Sequence, residues 1–250
     1  MKISIVMAYF NRRNLLLNTL RSISKTEYSN YEVIIVDDAS DEDQRLEGYI
    51  DNLGIDITLL RVDPQDKKHV NPCIPYNIGF SKAVGDIVII QNPECYHKGD
   101  IISHASKLRS NDYNVYHCYS LPQSETERLL SSSGYVVPLL NRGASFNGDN
   151  GYYTHGRLVP RPYHFCSAIF KSDLDSLGGF DERYAYASAY DDDELAVRIK
   201  RKGLKFNYIE SPMVLHQWHY HSNSNKPIKT NESLFKNVTL SEITWSVNGK

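Results

Sequence analysis

The ten residues Tyr31-Glu32-Val33-Ile34-Ile35-Val36-Asp37-Asp38-Ala39-Ser40 decide the fold. Four consecutive apolar residues break off abruptly at two aspartates. A run that is apolar at odd and even positions alike marks a strand covered on both faces, as parallel sheets require. Upstream, Ile3 to Ala8 repeats the pattern and is bounded by Asn11. Between the two runs, Asn14 to Ser24 carries Leu15, Leu16, Leu20 and Ile23 at helical spacing, with one apolar face. Strand, helix and strand in this order make a right-handed βαβ unit.

The same pattern continues outward. Asp41 to Leu53 reads as a helix, Ile57 to Arg61 as a short strand and Asn77 to Val84 as a short helix over the sheet. Asp86-Ile87-Val88-Ile89-Ile90 is another buried strand, stopped by Gln91-Asn92-Pro93, because proline cannot continue a central ladder. Asp100 to Arg109 reads as a helix, Val115 to Ser120 as a strand and Glu125 to Leu130 as a short helix. Between about 121 and 160, Ser131-Ser132-Ser133-Gly134 and Asn147-Gly148-Asp149-Asn150-Gly151 are loop signals. Cys166 to Lys171 is a strand, Leu177 to Asp181 a turn, and Asp192 to Lys202 a helix closed by Gly203. Phe206 to Ile209 is a strand. The stretch after His221 is polar and assigned to no element.

Composition narrows the function. In 250 residues, 28 basic and 30 acidic side chains leave a net charge of −2, which argues against a nucleic-acid binder working by phosphate neutralisation. No stretch approaches the roughly 20 apolar residues of a membrane helix, and the first ten residues lack a signal-peptide core. The expectation is a cytoplasmic protein, with peripheral contact at a membrane left open. Cys73, Cys95, Cys118 and Cys166 form no CxxC, so neither a disulfide scaffold nor a zinc knuckle is expected. Asn231 and Asn237 each begin an N-x-[ST] sequence, read as chance.

Four constellations offer chemistry. Asp37-Asp38 ends a buried strand, where open α/β sheets bind ligands. There a carboxylate can accept from nucleobase or ribose, or simply cap the next helix. Asn92-Pro93-Glu94, with His97 near, ends the next long strand and offers oxygen ligands to Mn²⁺ or Mg²⁺. It also reads as a polar turn. Tyr190-Asp191-Asp192-Asp193-Glu194 opens a helix. Its dipole favours acids there, but four exceed what capping needs, and one could be a general base. His216-Gln217-Trp218-His219-Tyr220-His221 comes after a strand. If extended, it sets His219 and His221 on one face and His216 on the other.

Taken in order, these motifs resemble the inverting GT-A glycosyltransferases of the family-2 type. The resemblance is carried by Ile3 to Arg12 and Val33 to Ser40. It continues in Asn77-Ile78-Gly79 with Ala83-Val84-Gly85-Asp86, and in Leu177-Gly178-Gly179-Phe180-Asp181-Glu182 followed by Asp191-Asp192-Asp193-Glu194-Leu195 and Arg198. It covers about 1–120 and 163–221 and implies an α/β, Rossmann-like GT-A fold, a mostly parallel central sheet flanked by helices. It further implies a single domain over 1–221, with a nucleotide-sugar-binding half at 1–120, an acceptor-binding half at 121–221 and a C-terminal tail at 222–250.

The resemblance also implies roles. Ala8 and Phe10 line the nucleotide pocket, Asp38 accepts from the base with Asp37 beside it, and Asn77 shapes the donor site. Asn92 and Glu94 take the place of the family's D-x-D metal motif, with an amide where the first aspartate stands. Asp192 matches the general base, and His216 a histidine that completes the metal or diphosphate site in some members. His97 or His216 could compensate for the missing aspartate.

The implied reaction is metal-assisted, inverting transfer of a sugar from a nucleotide-sugar to an acceptor hydroxyl. UDP is taken as the commonest carrier, and the acceptor is a glycan, a lipid-linked molecule or a protein. Tyr152, Tyr153 and His155 are candidates for the acceptor wall, and homo-oligomerisation is left open. Two alternatives stand beside it: a catalytically weak or inactive protein of this fold that binds nucleotide-sugar or glycan, and a nucleotidyltransferase. The second is disfavoured because Tyr9 to Asn14 lacks glycine.

Overall fold

The computed structural model describes residues 1–132, 135–138, 143–145, 148, 150–220 and 228–239. The chain opens β1 (Ile3–Tyr9), α1 (Arg13–Ile23), β2 (Tyr31–Asp37), β3 (Ile57–Arg61), α2 (Cys73–Lys82) and β4 (Ile87–Gln91). It continues through β5 (Cys95–Lys98), α3 (Ile101–Ala105), β6 (Asp112–Ser120), α4 (Gln123–Ser131), β7 (Gly151–Thr154), β8 (Cys166–Phe170) and α5 (Lys171–Leu177). It closes with α6 (Asp191–Arg201), β9 (Lys205–His216) and α7 (Ile228–Thr239).

The described strands form one sheet in the order β3-β2-β1-β4-β8-β6-β9-β5, with β7 beside β6. β3, β2, β1 and β4 are parallel, which puts all their carboxyl ends on one edge. β8 runs antiparallel between β4 and β6, and β5 antiparallel to β9. The apolar runs serve both faces of the sheet. Ile3, Ile5, Met7, Val33, Ile35, Ile87 and Ile89 pack with Leu16, Leu20 and Ile23 of α1. Val6, Ile34, Val88 and Ile90 pack with Tyr76 and Phe80 of α2 and with Leu195 and Ile199 of α6. This two-residue alternation between two covered faces is why the runs read as continuously apolar.

Two glycines of the resemblance motifs work as spacers. A Cβ on Gly79 would sit 2.4 Å from Val6 Cγ1, so its absence lets α2 lie directly on β1. Gly179 has φ +71, and a Cβ there would sit 2.4 Å from Asn77 Oδ1.

Several expectations are corrected. Asp41 to Leu53 is not a helix. Only Glu42–Gln44 makes a 3₁₀ turn, and Gly48 at φ +80 ends any helical continuation, although Leu46 and Ile50 still bury their side chains. The Asn77–Val84 helix begins earlier, at Cys73, and the Asp100–Arg109 helix is only Ile101–Ala105. The 206–209 strand is the long β9. β5, β7 and α5 carried no clear apolar run and went unread. Part of the tail is helical: α7 packs Phe235 against Tyr190, with ring centroids 5.4 Å apart. The four cysteines are free and buried. Of the loop signals, Ser133, Gly134, Asn147 and Asp149 lie outside the described residues, as does His221. No helix among the described residues is long and apolar enough to cross a membrane.

Candidate active site

The carboxyl ends of β1 and β2 turn sharply. Asn11 and Ala39 both take left-handed backbone, φ 51 and 58. The two turns are tied together: Asn11 Nδ2 donates to Asp41 Oδ2 (2.7 Å) and Asp41 N to Asn11 Oδ1 (2.8 Å). Asp37 is fully buried. Its Oδ1 accepts from Ser40 N at 2.8 Å and its Oδ2 faces Arg61 at 3.0 Å, so it builds the loop and does not enter the cleft. Asp38 points the other way. Its Oδ1 lies 2.6 Å from His69 Nε2 and its Oδ2 3.0 Å from Lys67 Nζ. Lys67 Nζ also stands 3.5 Å above the centre of the Phe10 ring. Ala8, Phe10, Asp38, Lys67 and His69 line one cleft of about 510 Å³ that runs on to Arg12, Tyr76, Asn92 and Glu94.

Glu94 forms the charged floor of that cleft. Its Oε2 takes Arg12 Nη1 at 3.1 Å, while its Oε1 lies 3.2 Å from His216 Nε2 and 3.6 Å from His219 Nε2. Burial alone would raise the Glu94 carboxyl. Arg12 and the two imidazoles overcome that and hold it well below the ordinary range. Burial keeps His216 below its usual value despite the carboxylate.

An extended chain would put His216 and His219 on opposite faces. β9 ends at His216, so the chain turns and brings both to Glu94. Gln217 makes that turn: fully buried, its Nε2 shares two N–H groups among Leu15 O, Thr19 Oγ1 and Glu94 O, and its Oε1 accepts from Asn18 Nδ2. The set of one carboxylate and two imidazoles fits a divalent transition cation. His216 Nδ1 is buried without a hydrogen-bond partner. Asn92 lines the cleft but accepts from the Tyr76 hydroxyl at 3.0 Å.

The acid run sits beside this floor. Two successive left-handed residues, Ala189 (φ 65) and Tyr190 (φ 67), deliver the chain to α6. Asp192 Oδ1 contacts Nδ1 of His164, a buried imidazole packed edge-on against Tyr76 (5.7 Å) and Phe180 (4.6 Å). Burial would lower the His164 imidazole, but Asp192 and Asp191 raise it. Asp191 is buried and accepts from Asn71 Nδ2 at 2.8 Å. Burial and the neighbouring Asp192 push its carboxyl up to about 6. Asp193 accepts from the Tyr163 hydroxyl at 2.9 Å. Asp192 is not in the cleft lining itself; Tyr76 and His164 join it to that lining. Glu194, fully buried, pairs bidentately with Arg198, which also donates to Leu177 O at 2.6 Å.

Asn77, His97, Tyr152 and His155 also fall elsewhere. Asn77 faces away from the cleft. Its amide takes Phe180 N at 2.9 Å and gives to Phe180 O and Glu182 Oε1 (2.9 and 3.0 Å), so it fastens α2 to the Gly178–Glu182 turn. His97 is a core residue against Gln91 Oε1 (2.9 Å), lowered to about 3 by burial, and does not reach Glu94's cluster. Tyr152 and His155 pack on His117 and Tyr119, whereas Tyr153 stacks on Phe165 and meets the His216 ring at 5.0 Å. Lys67, His69, Asn71 and His164 carry no signal in the sequence, and His219 is legible only as one of a histidine cluster. All five lie on irregular loops.

Comparison with known proteins agrees with this architecture. Residues 4–178 match the family described as Glycosyl transferase family 2. A curated Escherichia coli (strain K12) protein, named as the putative colanic acid biosynthesis glycosyl transferase WcaA, is 30% identical over 135 residues, 49% of this chain and 47% of that one. The structure of S. aureus TarS 1-349 in complex with UDP superposes with a TM-score of 0.58 at 16% identity, covering 86% of this chain and 60% of TarS 1-349. The mannosyltransferase PcManGT from Pyrobaculum calidifontis, in complex with GDP-Man and Mn²⁺, gives 0.56 at 16% identity, covering 88% of this chain and 58% of that one. The chain thus spans about half to three-fifths of these relatives, and the two structures share its α/β fold of a mostly parallel sheet flanked by helices. With the family matched over more than half its length, this chain belongs to glycosyl transferase family 2.

Proposed function

We propose that this chain transfers a sugar, with inversion, from a nucleoside diphosphate donor to an acceptor hydroxyl. The observation that carries the reading is convergence. A stacking ring with a carboxylate (Phe10, Asp38), a cationic and imidazole floor (Arg12, His216, His219 around Glu94) and a carboxylate–imidazole pair (Asp192, His164) meet around Tyr76.

The base of the donor stacks on Phe10 and gives an N–H to Asp38. UDP is the carrier we favour, and the TarS complex with UDP is the supporting relative. Arg12 lies where it can meet the diphosphate. Glu94, His216 and His219 would hold a divalent cation. Two imidazoles suit Mn²⁺ better than Mg²⁺, which prefers oxygen, and PcManGT supplies a relative with Mn²⁺. Such an ion would neutralise charge on the departing diphosphate.

Asp192, with Oδ1 held by His164, keeps its other oxygen for the acceptor hydroxyl and takes its proton as the bond to the anomeric carbon forms. Residues 121–221, with Tyr153 against His216, supply the acceptor side. The deciding experiment is Asp192→Asn, assayed for sugar transfer and for nucleotide binding separately. Loss of transfer with binding kept supports the assignment, and transfer at the parental rate removes it.

A further inference from the structure

Lys67 occupies a place that the proposed donor needs. Its ammonium lies 3.5 Å above the Phe10 ring centre, while carbon atoms of a stacked base rest about 3.5–4 Å from such a face. The ammonium is held there from below as well. It donates to Asp38 O at 2.6 Å and pairs with Asp38 Oδ2 at 3.0 Å, the group that would accept from a base. With Phe10 44% exposed and Lys67 laid across it, the slot is filled by the protein's own side chain.

The backbone beneath Lys67 is fastened. Lys67 N donates to Asp63 O at 3.2 Å, and Val70 N and Asn71 N both donate to Ala185 O, at 2.8 and 3.0 Å. Any exchange therefore runs through the lysine side chain, which has four rotatable bonds, and not through the loop. Asp63 and Asp66, on the same loop and lining the adjoining hollow, offer the displaced ammonium another partner. His69 holds the other carboxylate oxygen of that group, Asp38 Oδ1, at 2.6 Å.

We infer that Lys67 is a resident plug of the nucleobase slot, expelled when a base stacks on Phe10, and that it sets how weakly a nucleoside without phosphates binds. The inference rests on the reading of this cleft as a donor site. A plug and a ligand-holding lysine predict opposite signs for its removal. A neutral nucleoside isolates the slot, because it brings no phosphate to attract the cation.

The test uses the full chain and Lys67→Met, Lys67→Gln and Lys67→Arg, with uridine and guanosine titrated by ligand-observed NMR and UDP and GDP by calorimetry. Without the plug's contact with the ring, Lys67→Met and Lys67→Gln should bind the preferred nucleoside about two- to fivefold more tightly than the parent, with Lys67→Arg at the parental value. Equal or weaker nucleoside binding by Lys67→Met and Lys67→Gln overturns the inference, as does Lys67→Arg binding as tightly as they do. If the parent binds no nucleoside diphosphate at all, the donor-site reading fails and not the plug alone.

Discussion

The proposed base slot at the ends of β1 and β2 and the acid turn before α6 are bridged by the loop 62–72, yet they are built differently. At the base slot, the parallel ladder runs to the last residue: Asp38 N still donates to Tyr9 O and Val62 N to Asp37 O, both at 2.8 Å. Phe10 and Asp38 follow directly from the pairing of neighbouring strands. At the acid turn, no ladder fixes the chain. Two left-handed non-glycine residues precede Asp191, and buried Asn231 of α7 donates to Tyr184 O (3.0 Å) and Ala189 O (2.8 Å) from the far end of the sequence. One end of the site is a product of regular sheet geometry. The other is strained backbone held by a distant amide, and strain of this kind costs about 1–3 kcal/mol per residue.

The predictions test that contrast. Asp192→Asn should lower turnover about 10²–10⁴-fold while a calorimetric titration still shows nucleotide binding, because the proposed reaction gives the two ends separate parts. Next in size is the cation: chelation with EDTA should abolish transfer, and Mn²⁺ should restore it more fully than Mg²⁺. Full transfer in chelator would leave Arg12 alone on the diphosphate.

Asn231→Ala should destabilise the chain by about 1–3 kcal/mol in chemical denaturation, because it removes both hydrogen bonds that tie α7 to the turn, and should reduce turnover more than nucleotide affinity. A fall in nucleotide affinity of the same size would mean that the two ends are not separable.

The Asp191 carboxyl is raised from 3.8 to about 6 in the fold. The folded chain therefore holds that proton more tightly than the unfolded one, and Asp191 costs stability progressively as pH rises from about 4 to 6. Asp191→Asn should be more stable than the parent above pH 6 and lose that advantage below pH 4, as read from melting temperature against pH.

Smallest of all, Ala189→Gly relieves one strained residue. It should change stability by no more than about 1 kcal/mol, with turnover falling from a looser turn.

The same contrast explains what could be read from the sequence. Ile3–Tyr9, Tyr31–Asp37 and Ile87–Gln91 are apolar on both faces, so their existence and the carboxyl-edge position of Asp38 and Glu94 followed from pattern alone. Asp41 to Leu53 misled because Leu46, Ile50 and Leu53 keep helical spacing while packing from turns around Gly48. Cys95–Lys98 is a strand whose residues read as polar, because His97 faces buried polar partners of the core, Ser22 and Gln91. The pairing of Asp192 with His164 joins residues 28 apart across a strand and a helix, and that of Asp38 with His69 joins a strand end to an irregular loop. No periodicity records either. Asn231 looked like an N-x-[ST] acceptor by chance, and in the fold its amide is buried.

The buried amide of Gln217 has a consequence for biosynthesis. It satisfies Asn18, Leu15 and Thr19 in a helix made some 200 residues earlier, with sequence separations of 198 to 202. Until the ribosome has released residue 217, the buried side-chain amide of Asn18 in the first helix lacks its partner in the fold. The polar contacts on this side of the first helix are therefore made only after the rest of the sheet has been synthesised. Completion of this protein waits on contacts of the longest range the chain offers, the regime in which folding is slow and exposed intermediates most need protection.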